Sequence, residues 1–170
     1  MKTVNVKSFG DCPYLISLEP EDVIGHGSYA QVRRSYNKQA PEEKLAAKIF
    51  DLSDARKFTS ALKELKFVSE LPRHSNLVEY KRVKISSKNR AYIIMELCES
   101  NLKKKIMETK ESFPEEEIWS FLSQFCEGYK VLYNKKIIHR DIKPDNILIG
   151  FDQNYKISDL GLAEVVSVLE

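Results

Sequence analysis

Eight residues, His139-Arg140-Asp141-Ile142-Lys143-Pro144-Asp145-Asn146, constrain this 170-residue chain more than any other feature. From the chain's own composition, the five positions His-Arg-Asp-x-Lys-x-x-Asn arise by accident roughly 3 × 10⁻⁵ times, so chance does not explain them. The residue types share one chemistry. A carboxylate accepts a hydroxyl proton, a nearby ammonium neutralises phosphoryl charge, and an amide oxygen five residues on ligates magnesium. Asp159-Leu160-Gly161 follows 18 residues after Asp141, behind the alternating run Tyr155-Lys156-Ile157-Ser158. An Asp at a strand end beside a flexible Gly suits a metal ligand on a movable loop, and by itself suits a surface turn as well.

Composition narrows the classes further. With 27 Lys+Arg against 25 Asp+Glu, and 42% hydrophobic residues, the chain has the apolar content for a core and no basic surplus to hold nucleic acid or an acidic membrane by bulk charge. Cys12, Cys98 and Cys126 are odd in number and form no Cys-x-x-Cys, which argues against a disulfide framework and a thiolate zinc site and fits a reducing compartment. Nowhere do eighteen apolar residues run together, and the opening Met1 to Lys7 lacks a signal-peptide core, so the expectation is a cytoplasmic protein with no membrane span, the nucleus left open.

Periodicity predicts a mixed α+β chain, strand-rich with one helix over residues 1–100, helical over 101–139, and returning to short strands over 140–160. Strands are expected at Val32 to Tyr36, Leu45 to Phe50, Leu77 to Ile85 and Ala91 to Met95. Ser53 or Asp54 is expected to cap a helix with the stripe Ala55, Phe58, Ala61, Leu62, Leu65 and Val68, stopped by Pro72. A second helix starts at Ser112-Phe113-Pro114-Glu115, where Ser and Glu have capping-box spacing. Its stripe, Ile118, Phe121, Leu122, Phe125, Tyr129, Leu132 and Tyr133, is too wide for one neighbour, so two or three of these side chains are expected to stay exposed. Lys103-Lys104-Lys105 and Lys135-Lys136 read as solvated helix faces or ends.

Gly25-His26-Gly27-Ser28-Tyr29-Ala30-Gln31-Val32 lies between strand-like residues. A Gly-x-Gly alone is weak, occurring about 0.2 times by chance here, and a plain hairpin turn explains it. Its alternative use is a backbone that closes over phosphate oxygens, while the strand-turn-strand setting argues against a dinucleotide site.

Taken in order, the glycine loop, the strand lysine, the catalytic loop and the Asp-x-Gly resemble a eukaryotic protein kinase domain of serine/threonine type, from about Val23 to Gly161. The resemblance implies a protein-kinase-like α+β fold: small lobe over 1–95, hinge over 96–99, partial large lobe over 100–170. It implies that Ile24, Gly25, Gly27 and Val32 cover ATP, that Ala46 lies above the adenine, and that Lys48 contacts the α- and β-phosphates while pairing with Glu64. Met95 would guard the back of the nucleotide pocket, Glu96 and Cys98 would belong to the hinge, and Leu148 would complete the ATP-binding set. Asp141 would be the catalytic base, Lys143 the phosphate-contacting lysine, and Asn146 and Asp159 the ligands of Mg²⁺. Lys143 in this context is the serine/threonine-type pattern. Arg140 would pair with a phosphate on the activation loop, and His139 would support the catalytic loop.

The chain departs from the family pattern in three places. Ala30 stands for the third glycine, and Leu160 for the phenylalanine of Asp-Phe-Gly. The third is that the chain stops at Glu170, before any Ala-Pro-Glu motif, which leaves a piece of a longer protein and a natural short product as two readings. The expected reaction is ATP γ-phosphoryl transfer to Ser/Thr hydroxyls of protein substrates. The alternatives are a catalytically incompetent module that binds nucleotide or a partner, and a small-molecule phosphotransferase, in which Lys143 would not be expected.

Overall fold

In the computed structural model, which describes residues 5–7, 12–26, 30–53, 55–86 and 89–166, β-branched and aromatic runs become strands where the sequence alternates. The chain divides into two compact units, residues 1–65 with 80–97 and residues 66–79 with 98–170.

The first unit is built on strands β1 (Val6–Lys7), β2 (Tyr14–Ser17), β3 (Val23–His26), β4 (Ala30–Asn37), β5 (Leu45–Asp51), β6 (Tyr80–Ser86) and β7 (Arg90–Glu96). They form one antiparallel sheet in the order β1-β2-β4-β5-β7-β6, with β3 also paired to β4. Register decides the two faces, because directly opposed residues point the same way and successive residues point oppositely. Val32 pairs with Lys48 and Lys48 with Ile93, while Ala46 pairs with Met95. Val32, Ala46, Lys48 and Met95 therefore share one face. The other face carries the core of Ile16, Leu45, Ala47, Tyr92 and Ile94, with Tyr14 and Ile49 packed against it. The expected segments Val32 to Tyr36, Leu45 to Phe50 and Ala91 to Met95 are all strands. The third expected strand begins at Tyr80, and Leu77 makes only an isolated parallel bridge to Ile157.

Helix α1 (Ala55–Glu70) begins in the first unit and ends in the second. Among its described side chains Ala61, Glu64, Leu65, Phe67 and Val68 are buried, whereas Phe58 and Leu62 of the expected stripe are exposed and the Ala55 side chain lies outside the described residues. Asp54, one of the two expected caps, lies outside the described residues. The other, Ser53, bonds back to Asp51 through its N–H and its hydroxyl.

The second unit holds α2 (Leu102–Glu108), α3 (Glu115–Asn134) and five short strands: β8 (Ser100–Asn101), β9 (Ile137–Ile138), β10 (Ile147–Ile149), β11 (Tyr155–Ile157) and β12 (Glu164–Val165). β11, β10 and β8 form one small sheet, and β12 and β9 another. The core gathers Phe67, Leu77, Leu132, Ile137, Ile147, Ile149, Tyr155, Ile157, Leu160 and Ala163, with Phe121, Phe125 and Tyr129 against it. Phe121 meets the Tyr155 ring edge-on at 5.2 Å, a favoured aromatic geometry. Ile118, Leu122 and Tyr133 stay exposed, as the width of the stripe leads one to expect.

The capping box does not form. Pro114 is the residue before the first turn, no side chain caps it, and its carbonyl accepts from the N–H groups of Glu117 and Ile118. Proline fixes φ near the helical value, and Glu115, Glu116 and Glu117 place negative charge against the N-terminal dipole, so Ser112 is not needed. The basic run of α2 keeps Lys103 and Lys104 exposed, as expected of a solvated face, and still finds carboxylates. Lys103 pairs with Asp145 at 2.9 Å, Lys104 with Glu108 at 3.8 Å, and Lys105 with Glu117. Among the described residues no helix is long and apolar enough to cross a membrane.

Candidate active site

The first unit supplies a lysine held by a buried carboxylate. β5 presents Lys48 on the face it shares with Val32, Ala46 and Met95, and Lys48 Nζ donates to both carboxylate oxygens of Glu64 at 2.8 Å. The Glu64 side chain is only 2% exposed and that of Lys48 13%, so this is a desolvated pair of defined geometry, unlike an ordinary surface pair. Gly25 lies opposite Val32 across a β-irregularity between Val23 and Gly25, and a Cβ built on it would meet nothing within 4 Å. Ile24 is exposed. β3 ends at His26 and the antiparallel β4 begins at Ala30, so strands flank the glycine segment on both sides; Gly27 lies outside the described residues. Met95 and Glu96 close β7 and are half-buried; Cys98, also half-buried, is the first residue of the second unit after the break at Leu97.

A network at Asp22, the residue before β3, ties the start of that strand to β2 and β4. Asp22 accepts from the Ser17 hydroxyl at 2.6 Å, from Arg34 Nε at 3.0 Å and from the Tyr36 hydroxyl at 3.3 Å. Burial alone would raise the Asp22 carboxyl, but these donors and the Arg34 charge outweigh it and hold it below the usual carboxylate range.

The second unit supplies the cluster around Asp141. After β9 the chain passes His139, which is fully buried, and turns through Arg140 at φ 65°, a left-handed conformation that residues with a Cβ seldom adopt. The imidazole braces the loop from both sides: Nδ1 accepts from the Asp141 N–H at 3.2 Å, so the ring proton belongs on Nε2, which donates to the Ser158 carbonyl at 2.8 Å. The Asn146 amide donates to the Asp141 carbonyl at 2.9 Å and to Asp141 Oδ2 at 2.8 Å. Lys143 Nζ donates to the same Oδ2 at 2.7 Å. That hydrogen bond chiefly, opposed by some desolvation and assisted by the charges of Asp141, Asp145 and Asp159, raises the Lys143 ammonium above its ordinary value, so it stays charged.

Asp159 reaches the same neighbourhood through β11. The Asn146 carbonyl accepts from both the Ser158 N–H and the Ser158 hydroxyl at 2.9 Å, which ties the residue before Asp159 to Asn146. Asp159 sits at φ 62°, its carboxylate accepting from the Gly161 N–H at 3.2 Å. Leu160 is buried in the core. The donor set fits magnesium. With its NH₂ turned onto Asp141, Asn146 directs its carbonyl oxygen elsewhere, and Asp159 adds a carboxylate. Magnesium takes such hard oxygens one or two at a time and completes its shell with water and substrate phosphates. Leu148 pairs with Lys156 and Asn101 and points away from the core face of Ile147 and Ile149, half-buried.

Sequence reading missed the polar clamp on β11. The buried Asn76 donates to Gln124 at 3.1 Å and to the Tyr155 carbonyl at 3.0 Å, and Gln124 accepts from the Tyr155 N–H at 2.9 Å. Asn76 and Gln124 are 48 residues apart, and no local pattern marks such a pair.

One unit is thus a sheet carrying a carboxylate-held lysine, and the other a largely helical unit carrying Asp141, Lys143, Asn146 and Asp159. The chain belongs to the protein kinase domain family, whose model matches residues 18–169. It is 37% identical to mitogen-activated protein kinase 16 of Arabidopsis thaliana over 153 residues, which cover 85% of this chain and 26% of that protein. It is 35% identical to cyclin-dependent kinase F-3 of Oryza sativa subsp. japonica over 148 residues, 85% of this chain and 33% of that protein. It is 32% identical to the human hormonally up-regulated neu tumor-associated kinase over 150 residues, 86% of this chain and 21% of that protein. The chain thus spans between a fifth and a third of the length of these curated relatives.

Proposed function

We propose that this chain carries the ATP-binding and catalytic-loop parts of a serine/threonine protein kinase, which transfers the γ-phosphoryl group of ATP to Ser and Thr hydroxyls of protein substrates. The observation that carries this reading is the convergence of Lys143 and Asn146 on one oxygen of Asp141. These contacts fix the Asp141 carboxylate as an acceptor for the substrate hydroxyl proton. The hydroxyl oxygen then bonds to the γ-phosphorus as the bond to the departing ADP oxygen breaks, and the proton goes to Asp141. The Lys143 ammonium offsets charge on the moving phosphoryl group. Lys48, aimed by Glu64, would hold the α- and β-phosphates, with Ile24, Gly25, Gly27, Val32, Ala46, Met95, Glu96, Cys98 and Leu148 lining the nucleotide. Magnesium, held by Asn146 and Asp159, would supply charge neutralisation on the phosphates. Residues 96–99 would act as the hinge. Cys12, Cys98 and Cys126 are free thiols, which supports a reducing location, the cytoplasm.

The experiment uses the full protein that carries this chain, γ-labelled ATP and peptides presenting Ser, Thr or Tyr. Transfer to Ser or Thr that disappears in Asp141→Ala, with ATP affinity nearly intact, is the expected result. Retained turnover in Asp141→Ala excludes its role as base, dominant phosphotyrosine excludes the substrate class, and ATP binding without any transfer favours a nucleotide-binding module.

A further inference from the structure

The residue before Asp141 is held by the chain itself. Arg140 Nε donates to the Leu162 carbonyl at 2.7 Å, and its Nη1 forms an ion pair with the Glu164 carboxylate. The backbone supports this contact independently: β12 lies antiparallel to β9 with Glu164 opposite Ile138 and Val165 opposite Ile137, and the Val166 N–H donates to the Lys136 carbonyl at 2.8 Å. The segment after Gly161 is therefore strapped to the start of the catalytic loop, with the Arg140 side chain as the strap's polar end.

A guanidinium forks onto carboxylates and phosphates alike, so Arg140 has the chemistry of an anion seat. An exposed ion pair ordinarily contributes little, because water competes and two long side chains lose freedom. Here the ladder already brings Glu164 beside Arg140, the Leu162 carbonyl fixes the other edge of the guanidinium, and Arg140 is in a left-handed conformation that its surroundings must maintain. Loosening the strap relaxes that turn, and leaves His139, Lys143 and Asn146 alone to hold the Asp141 N–H and carboxylate one residue on.

We propose that Glu164 is a positioning residue for the catalytic loop: its carboxylate occupies the anion seat of Arg140, so that Asp141 is presented without a phosphate on the segment after Gly161. This rests on Asp141 as the catalytic base. The test compares wild type, Glu164→Gln, Glu164→Asp, Arg140→Gln and the Arg140→Gln/Glu164→Gln double variant of the full protein. For each, kcat and the KM for ATP are measured with a Ser/Thr peptide before and after phosphatase treatment. Glu164→Gln is expected to lower kcat about three- to tenfold at unchanged KM. Arg140→Gln should do the same, the double variant no worse than either, Glu164→Asp should recover part of the rate, and phosphatase should leave wild type unaffected. Additive losses, full kcat in Glu164→Gln, or wild-type activity lost on dephosphorylation overturn the proposal. Hydrogen exchange gives a reading that needs no turnover. Amides at 137–138 and 165–166 should exchange faster in each single variant and no faster in the double, and unchanged exchange in both singles overturns the strap. A wild type that transfers no phosphate would instead refute the kinase reading, leaving exchange to decide the pair.

Discussion

Adding one methyl group at Gly128 tests the packing that aligns β11 and, through it, Asp159. Gly128 is buried on α3, and a Cβ placed there would lie 2.5 Å from the Asn76 carbonyl oxygen and 3.1 Å from the Asn76 Cβ. The struck atom is backbone, so no rotamer change relieves the clash, and the same oxygen accepts from the Ile157 N–H at 3.0 Å. In Gly128→Ala the helix gains about 1 kcal/mol of propensity. Against this stand about 1–3 kcal/mol of overpacking and about 1 kcal/mol for the weakened hydrogen bond. Overpacking wins, by about 2 kcal/mol net. For a chain of this size that lowers the melting temperature by about 4–8 °C, read by differential scanning calorimetry or thermal circular dichroism. Gly25→Ala is the control, since its Cβ would meet nothing within 4 Å and its melting temperature should not move. An unchanged or raised melting temperature in Gly128→Ala would mean that α3 and the Asn76 segment slide apart freely, refuting the argument that this contact sets the position of β11.

Three further outcomes follow from the same structure. Lys48→Met takes the ammonium away from a carboxylate that is 2% exposed, and should destabilise the protein by about 3 kcal/mol in urea titration; a loss within error would show that water reaches Glu64. Because Asp22 is held below the usual carboxylate range, its ionised form adds stability that is fully present above the pKa of the unfolded carboxyl and lost as pH falls through the lower folded one. Stability measured from pH 5 downward, in steps of roughly half a unit, should fall less steeply for Asp22→Asn than for wild type, and parallel curves would remove Asp22 from the account. Tyr155→Phe deletes a hydroxyl that accepts from Lys105 at 3.1 Å and donates to Glu117 at 3.0 Å while keeping the ring in the core, and should cost about 1 kcal/mol by chemical denaturation.

Much of the site could be read from sequence because its parts are local. Asp141, Lys143 and Asn146 lie within one loop, and their contacts span two to five residues. Lys48 and Glu64 are 16 residues apart, yet each sits in an element whose own pattern reveals it, a short apolar strand and a helix with an apolar stripe. Which residues of β4, β5 and β7 share a face was decided by the strand pairing, because a period of two leaves one choice only once the register is set.

Tertiary structure decided what periodicity leaves open. An apolar stripe states how wide a helix face is and says nothing of which part a neighbour covers, so α3 buries Leu132 and leaves Ile118, Leu122 and Tyr133 in water. A charge run gives no partner, yet Lys103 found Asp145 at a separation of 42 residues and Lys105 found Tyr155 at 50. The same holds for the Asn76–Gln124 clamp and for the Glu164 carboxylate on Arg140, 24 residues away. Such pairs leave no mark in sequence because a hydrogen bond or ion pair needs only that two groups meet within about 3 Å, and where distant groups meet is settled by the packing of the elements that carry them.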